Sequence, residues 1–101
     1  MVYSESQIRV EALRELAKAP NGTLTTSQLI KQLEARLRPT GKDAEIADGR
    51  DDTYFSQKVR NLVSHRDQGT GLAARKFANY DSDSESWTIT DLGRENPESA
   101  A

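Results

Sequence analysis

The stretch Arg50-Asp51-Asp52-Thr53-Tyr54-Phe55-Ser56-Gln57-Lys58-Val59-Arg60-Asn61-Leu62-Val63-Ser64-His65-Arg66 decides how this chain is read. Asp51, Asp52 and Thr53 carry side-chain oxygens that can accept hydrogen bonds from the free N–H groups of a first helical turn, and Asp52 or Thr53 is the expected start. Phe55, Val59, Leu62 and Val63 recur at i, i+4, i+7 and i+8, the spacing of one buried stripe, which predicts a helix over 53–66. With successive side chains about 100° apart, Gln57, Arg60, Asn61 and Ser64 fall on the opposite side, and Lys58 and His65 lie on its flank. That outer face is polar and net positive. Gln, Asn and Arg are also the side chains that hydrogen-bond base edges in a DNA groove. Amphipathicity alone is better explained by solvation than by DNA recognition, so the neighbouring segments decide the meaning of this face.

Working outward, the chain of 101 residues is expected to form one small domain, over residues 4–94, with an acidic, poorly ordered tail at 95–101. It has no cysteine, which excludes disulfides and thiolate metal sites and fits a reducing, cytoplasmic setting. No apolar run approaches the ~20 residues of a membrane-spanning helix, and no signal peptide is visible. The net charge of −2 argues against a general nucleic-acid binder, but its distribution is uneven. Residues 53–76 carry five basic groups (Lys58, Arg60, Arg66, Arg75, Lys76) against Asp67 alone, whereas residues 81–101 carry six acidic groups against Arg94. The decisive stretch therefore opens the one basic block, and such local patches steer binding even in an acidic molecule.

Upstream, Ser4 or Ser6 can cap a first helix over 4–19, with Ile8, Ala12, Leu13, Leu16 and Ala17 inward, and Pro20-Asn21-Gly22 stops it. Thr23-Leu24-Thr25 suits a brief edge strand. Thr25, Thr26 or Ser27 then caps a second helix with Leu29, Ile30, Leu33 and Leu37 on one face. Arg36 and Arg38 complement its dipole, and Pro39 ends it. Residues 39–51 form a long polar connection anchored by Ile46; it holds either a short helical turn around Asp43–Ala47 or a mobile insert. Downstream, residues 72–80 read as a strand with Phe77 and Leu72 as core candidates. Residues 81–86 form an exposed acidic loop, and Trp87-Thr88-Ile89-Thr90 makes a second strand with Trp87 and Ile89 on one face. Asp91-Leu92-Gly93 closes the hairpin, with Leu92 expected to return to the core.

Helix, short strand, helix, loop, helix and hairpin is the order of an α+β winged helix-turn-helix: three helices, a short strand and a C-terminal β-hairpin wing. In that arrangement the third helix enters the major groove. The run Asp52–Arg66 resembles the recognition segment of winged-helix modules attached to prokaryotic restriction endonucleases. Trp87-Thr88-Ile89-Thr90-Asp91-Leu92-Gly93 is similar to the aromatic-x-hydrophobic-Thr-x-x-Gly ending common to winged helices. The resemblance covers roughly residues 5–94. It implies a reader of double-stranded DNA that accompanies a nuclease domain or subunit, with methylated sites, including N6-methyladenine, among those such modules favour.

Reading a methyl group needs an apolar or aromatic contact. Tyr54, at the start of the helix and off its buried face, is the candidate; Trp87 is the alternative, although a strand tryptophan is more often core. Gln57 and Asn61 are assigned to base edges, most naturally those of adenine, and Arg60 to a guanine or a phosphate. Lys58, Arg66, Arg75 and Lys76 would contact phosphates, and Ser56 and Ser64 would donate to phosphate oxygens. His65, the only histidine, joins this face from the flank as a polar surface residue rather than a metal ligand. Asp81, Asp83 and Glu85 at the wing tip would repel phosphates. They also lack the glycine and distal glutamate of an EF-hand, so no metal or other cofactor is expected. Phosphate-binding glycine loops and a nucleophile with its base are absent, so no enzymatic role is expected of the chain itself. A protein-interaction module or a transcriptional regulator is the alternative reading.

Overall fold

Each helix begins where a short polar side chain can satisfy its free N–H groups. The computed structural model describes residues 3–45 and 53–101. Helix α1 (Glu5–Lys18) starts at Ser4, whose hydroxyl accepts the Gln7 N–H while Gln7 Oε1 accepts the Ser4 N–H, a reciprocal capping box. Helix α2 (Thr26–Leu37) repeats the device with Thr25 and Gln28. Helix α3 (Tyr54–Ser64) is capped by Thr53. Asp51 and Asp52, the competing caps, lie outside the described residues, as does the proposed anchor Ile46. A 3-10 turn at Gly41–Ala44 takes up part of the long connection, close to the expected helical turn.

Between α1 and α2 the chain turns at Pro20–Gly22 and enters β1 (Thr23–Thr25). Strands β2 (Ala78–Asp81) and β3 (Ser86–Ile89) form a hairpin, and β1 adds to the far side of β3 to give an antiparallel sheet in the order β1-β3-β2. A short helix α4 (Asp91–Glu95) and a 3-10 turn (Pro97–Ala100) follow. The described residues thus make an α+β unit of four α-helices and one three-stranded sheet. The Cα radius of gyration of 12.6 Å matches the ~13 Å expected of a single folded unit of this length.

Register explains why Trp87 is the centre of the sheet. It pairs with Leu24 on one side and Tyr80 on the other, and it is fully buried. Its ring lies 5.1 Å from that of Tyr80. Ile8, Leu13 and Leu16 of α1, Leu29 and Leu33 of α2, and Phe55 and Val59 of α3 close over it, all with no exposed surface. A side chain such as Phe55 stabilises the fold by about 2–3 kcal/mol through burial alone. Trimming it to alanine would cost roughly 3–5 kcal/mol because a cavity remains. This packing fixes the rotation of α3 and so decides which of its side chains face outward.

Several expectations are corrected. The strand over 72–80 reduces to Ala78–Asp81. Residues 72–76 run in turns, with the Arg75 N–H on the Gly71 carbonyl and the Lys76 N–H on that of Ala73; Ala73 and Ala74 have weak strand preference, and Lys76 adopts a left-handed φ of 62°. The hairpin loop is Ser82–Glu85, shorter than 81–86, because Asp81 and Ser86 still pair. Leu92 does not return to the core and is 44% exposed. Thr90 caps α4 by accepting the Gly93 N–H, and Gly93 is the residue that packs inward; a Cβ there would sit 2.2 Å from the Phe77 carbonyl oxygen. Ala17 is exposed, while Glu15 of the same helix is buried beside Arg36. The end of the chain packs rather than trailing: Ala100 is buried, and its carbonyl accepts Arg9 Nε at 2.7 Å and Arg75 Nη2 at 2.6 Å.

Candidate nucleic-acid interface

Phe55, Val59 and Leu62 point α3 inward, so the opposite side of the helix meets solvent. Arg60 and Ser64 are exposed there, one turn apart. Gln57 and Asn61 lie half-buried beside them and are joined by a hydrogen bond from Gln57 Nε2 to Asn61 Oδ1 of 3.2 Å. Gln57 Oε1 is buried and has no hydrogen-bond partner among the described residues. The two amides hold each other side by side on this face of the helix. Tyr54 is half-buried in the first turn.

The flanks of α3 are used differently from the reading of the sequence. Lys58 Nζ donates to Asp43 Oδ1 at 2.6 Å and to the Tyr3 carbonyl at 2.8 Å. Asp43 has no exposed surface, and its other oxygen accepts the Tyr3 N–H at 2.7 Å. This buried pair ties α3 to the start of α1 and to the turn at Gly41–Ala44, so Lys58 is committed inside the fold rather than offered to a phosphate. His65 Nδ1 meets Glu5 Oε1 at 2.8 Å. Ser56 is buried, and its hydroxyl turns back to the Thr53 carbonyl at 3.2 Å.

Two arginines expected on phosphates are likewise engaged. Arg66 donates to the Val63 carbonyl, and its guanidinium lies 5.0 Å from the centre of the Tyr80 ring. Arg75 donates to the carbonyls of Thr70, Ser99 and Ala100. Lys76 remains exposed at the foot of β2. The basic block seen in the sequence is therefore only partly a basic surface. Arg60 and Lys76 stay outward, while Lys58, Arg66 and Arg75 brace the fold.

Two grooves meet at Arg60. One, of about 200 Å³, runs between α2, α3 and the hairpin and is lined by Thr26, Ser27, Ser64, Tyr80 and Glu85 together with Arg60. The other, of about 310 Å³, lies between α2 and α3 and adds Lys31, Glu34 and Thr53. Exposed Ser27 and Lys31 thus share the surface with the outward face of α3. They were missed because α2 was read by its buried stripe. Their signal was the i, i+4, i+7 run of Ser27, Lys31 and Glu34 on its polar side.

The hairpin loop closes one end of the first groove. The Glu85 carbonyl accepts the Thr26 N–H at 2.9 Å and the Thr26 hydroxyl at 3.2 Å, which fastens the loop to the start of α2. Asp81 accepts the Asp83 N–H and the Ser84 hydroxyl, an internal turn. Away from these grooves, Arg36 joins α2 to α1 by pairing with Glu11 and Glu15. Burial pushes the Glu11 carboxyl up, but hydrogen bonds and charge from Arg36 and Arg14 outweigh it and leave its pKa below the ordinary carboxylate value. Burial pushes Arg36 down, and Glu11 and Glu15 more than reverse this. These pairs offset the like-charge spacing of Glu11 and Glu15 along α1. Among the described residues no group of three or more His, Asp or Glu side chains converges as metal ligands would, and no helix is long and apolar enough to cross a membrane. Comparison with protein-family models, curated proteins and solved structures gives no match.

Proposed function

We propose that the chain is a winged-helix reader of double-stranded DNA that lays α3 in the major groove. The observation that carries this reading is the outward face of α3, where Gln57, Arg60, Asn61 and Ser64 stand together above a helix rotation fixed by a fully buried stripe. The order of elements and the sheet order β1-β3-β2 support it, and α2 and the hairpin share one groove with that face. Gln57 and Asn61 would read an adenine edge, Arg60 a guanine or a phosphate, and Ser27, Lys31, Ser64 and Lys76 would fix register on the backbone. The finer proposal is that the module directs a restriction nuclease and prefers modified bases such as N6-methyladenine. It rests on the resemblance of Asp52–Arg66 and on the aromatic ring of Tyr54 at the first turn of α3.

Fluorescence polarisation with duplexes that are unmodified, N6-methyladenine-bearing or 5-modified-cytosine-bearing tests both levels. A reader binds duplex DNA with steep salt dependence, and Arg60→Ala or Asn61→Ala weakens it roughly tenfold or more. Unchanged affinity in both variants would refute the role of α3. Equal affinity for all three duplexes would remove the preference for modified bases and leave DNA reading intact.

A second reading, a protein-interaction module, is favoured by one observation: Lys58, Arg66 and Arg75 are turned into the fold while Asp83 and Glu85 stay exposed. It predicts no duplex affinity even at low salt, and a complex formed through the hairpin or α1.

A further inference from the structure

The acidic hairpin is the feature least suited to a DNA-facing surface, and its geometry gives one of its carboxylates a use. We propose that Glu85 is a specificity residue: its carboxylate accepts the N4 amino group of a cytosine in the major groove, beside the guanine contacted by Arg60, so that the groove between α2, α3 and the hairpin selects a C·G pair. This role presupposes the DNA-reading function proposed above.

Three observations converge on Glu85. It lines the same groove of about 200 Å³ as Arg60 and Ser64, whereas Asp81 of the same hairpin is held by the Asp83 N–H and the Ser84 hydroxyl. Its backbone has a φ of 53°, a left-handed conformation that glycine or asparagine adopts far more readily. The Thr26 N–H and hydroxyl, both donating to the Glu85 carbonyl, hold it there. A bulky carboxylate kept at such a position breaks the local preference for turn residues, and departures of that kind cluster at ligand-contacting sites.

Chemistry then selects the ligand. Glutamate accepts and cannot donate, and cytosine is the base that offers only an amino donor in the major groove. Arginine complements the guanine of the same pair through its O6 and N7 acceptors. A carboxylate here would repel the backbone at every sequence, and only a site presenting a donor to it would offset that repulsion.

The test selects duplexes from a randomised pool with the whole chain, its Glu85→Ala variant and its Glu85→Gln variant, and then measures affinities by polarisation. The wild-type motif is expected to contain a C·G pair that Glu85→Ala no longer requires. Replacing that cytosine by N4-methylcytosine, whose methyl group takes the place of the groove-facing N–H, should weaken the wild-type protein roughly tenfold. It should leave Glu85→Ala unaffected, and 5-methylcytosine, which keeps the amino group, should not reproduce the loss. Retention of the same pair by Glu85→Ala, or equal affinity for cytosine and N4-methylcytosine, would overturn the assignment while leaving DNA reading standing. Absence of binding to any duplex at low salt would overturn both.

Discussion

Replacing Lys58 by methionine should unfold the chain more readily without altering the proposed binding to duplex DNA. Asp43 is fully buried and, among the described residues, is held by the Lys58 ammonium at 2.6 Å and the Tyr3 N–H at 2.7 Å. Methionine keeps the apolar stem of Lys58 and takes the ammonium away from a buried carboxylate. Breaking a buried pair from one side costs about 3–5 kcal/mol. The Lys58 side chain is 28% exposed and stays partly hydrated, so the lower end applies, about 3 kcal/mol. Against a total stability of roughly 5–15 kcal/mol this is a large fraction. Asp43→Asn keeps an acceptor for the Tyr3 N–H and removes the charge, so the double variant should recover about 2 kcal/mol relative to the sum of the two single losses.

Urea unfolding followed by fluorescence of Trp87, the only tryptophan, reads all four corners of this cycle. With a slope of roughly 1–2 kcal/mol per M, the Lys58→Met midpoint should fall by about 2 M. The salt dependence of duplex binding is the companion measurement. A lost phosphate contact lowers the slope of log affinity against log salt by about 0.9, and here no change is expected. A midpoint within about 0.3 M of wild type, together with a slope reduced by about one, would refute the inward assignment of Lys58.

Further outcomes follow from the same packing. Gly93→Ala would drive a methyl group onto the Phe77 carbonyl and should cost about 3 kcal/mol, seen as a lower thermal midpoint. Thr25→Ala removes the cap that accepts the Gln28 N–H and should cost about 1 kcal/mol in urea unfolding. The acid limb of stability should flatten in Glu11→Gln. Glu11 titrates below its ordinary value of 4.5 in the folded chain, so its contribution is complete above that pH and disappears as pH falls through the folded pKa. Because Arg36 and Arg14, its partners, are themselves partly exposed, the effect should stay under about 1 kcal/mol.

Local chemistry was legible wherever it acts over a few residues. Short runs of capping hydroxyls announced the starts of α1 and α2, where Ser4 and Thr25 are the ones used, and the spacing of Phe55, Val59 and Leu62 marked the inner side of α3. Alternation put Trp87 and Ile89 on one face, and both are buried. What escaped was decided by partners distant in sequence. Lys58 counted as a surface cation because nothing local announces Asp43, 15 positions away, or the Tyr3 carbonyl, 55 away. Arg75 likewise meets Ser99 and Ala100 only after the chain has returned past α1. The low hydrophobicity of residues 95–101 predicted a loose end, yet their backbone carbonyls, which no hydropathy reading weighs, are what Arg9 and Arg75 grip. Leu92 shows the converse error: its side chain favours burial, but the Thr90 cap sets a rotation of α4 that turns Gly93 inward instead.

The outward face of α3 is the surface proposed to meet DNA. The most direct measurement is a two-dimensional amide NMR titration of the isotopically labelled chain with a short duplex. Resonance changes are expected to concentrate at Gln57, Arg60, Asn61 and Ser64, and to extend to Ser27 and Lys31 of α2 and to Glu85 of the hairpin. None is expected at Arg14 or Glu98, which pair with each other where α1 meets the C-terminal turn. Changes confined to α1 and the turn at Pro97–Ala100, or no changes at a saturating duplex concentration in low salt, would contradict the proposal.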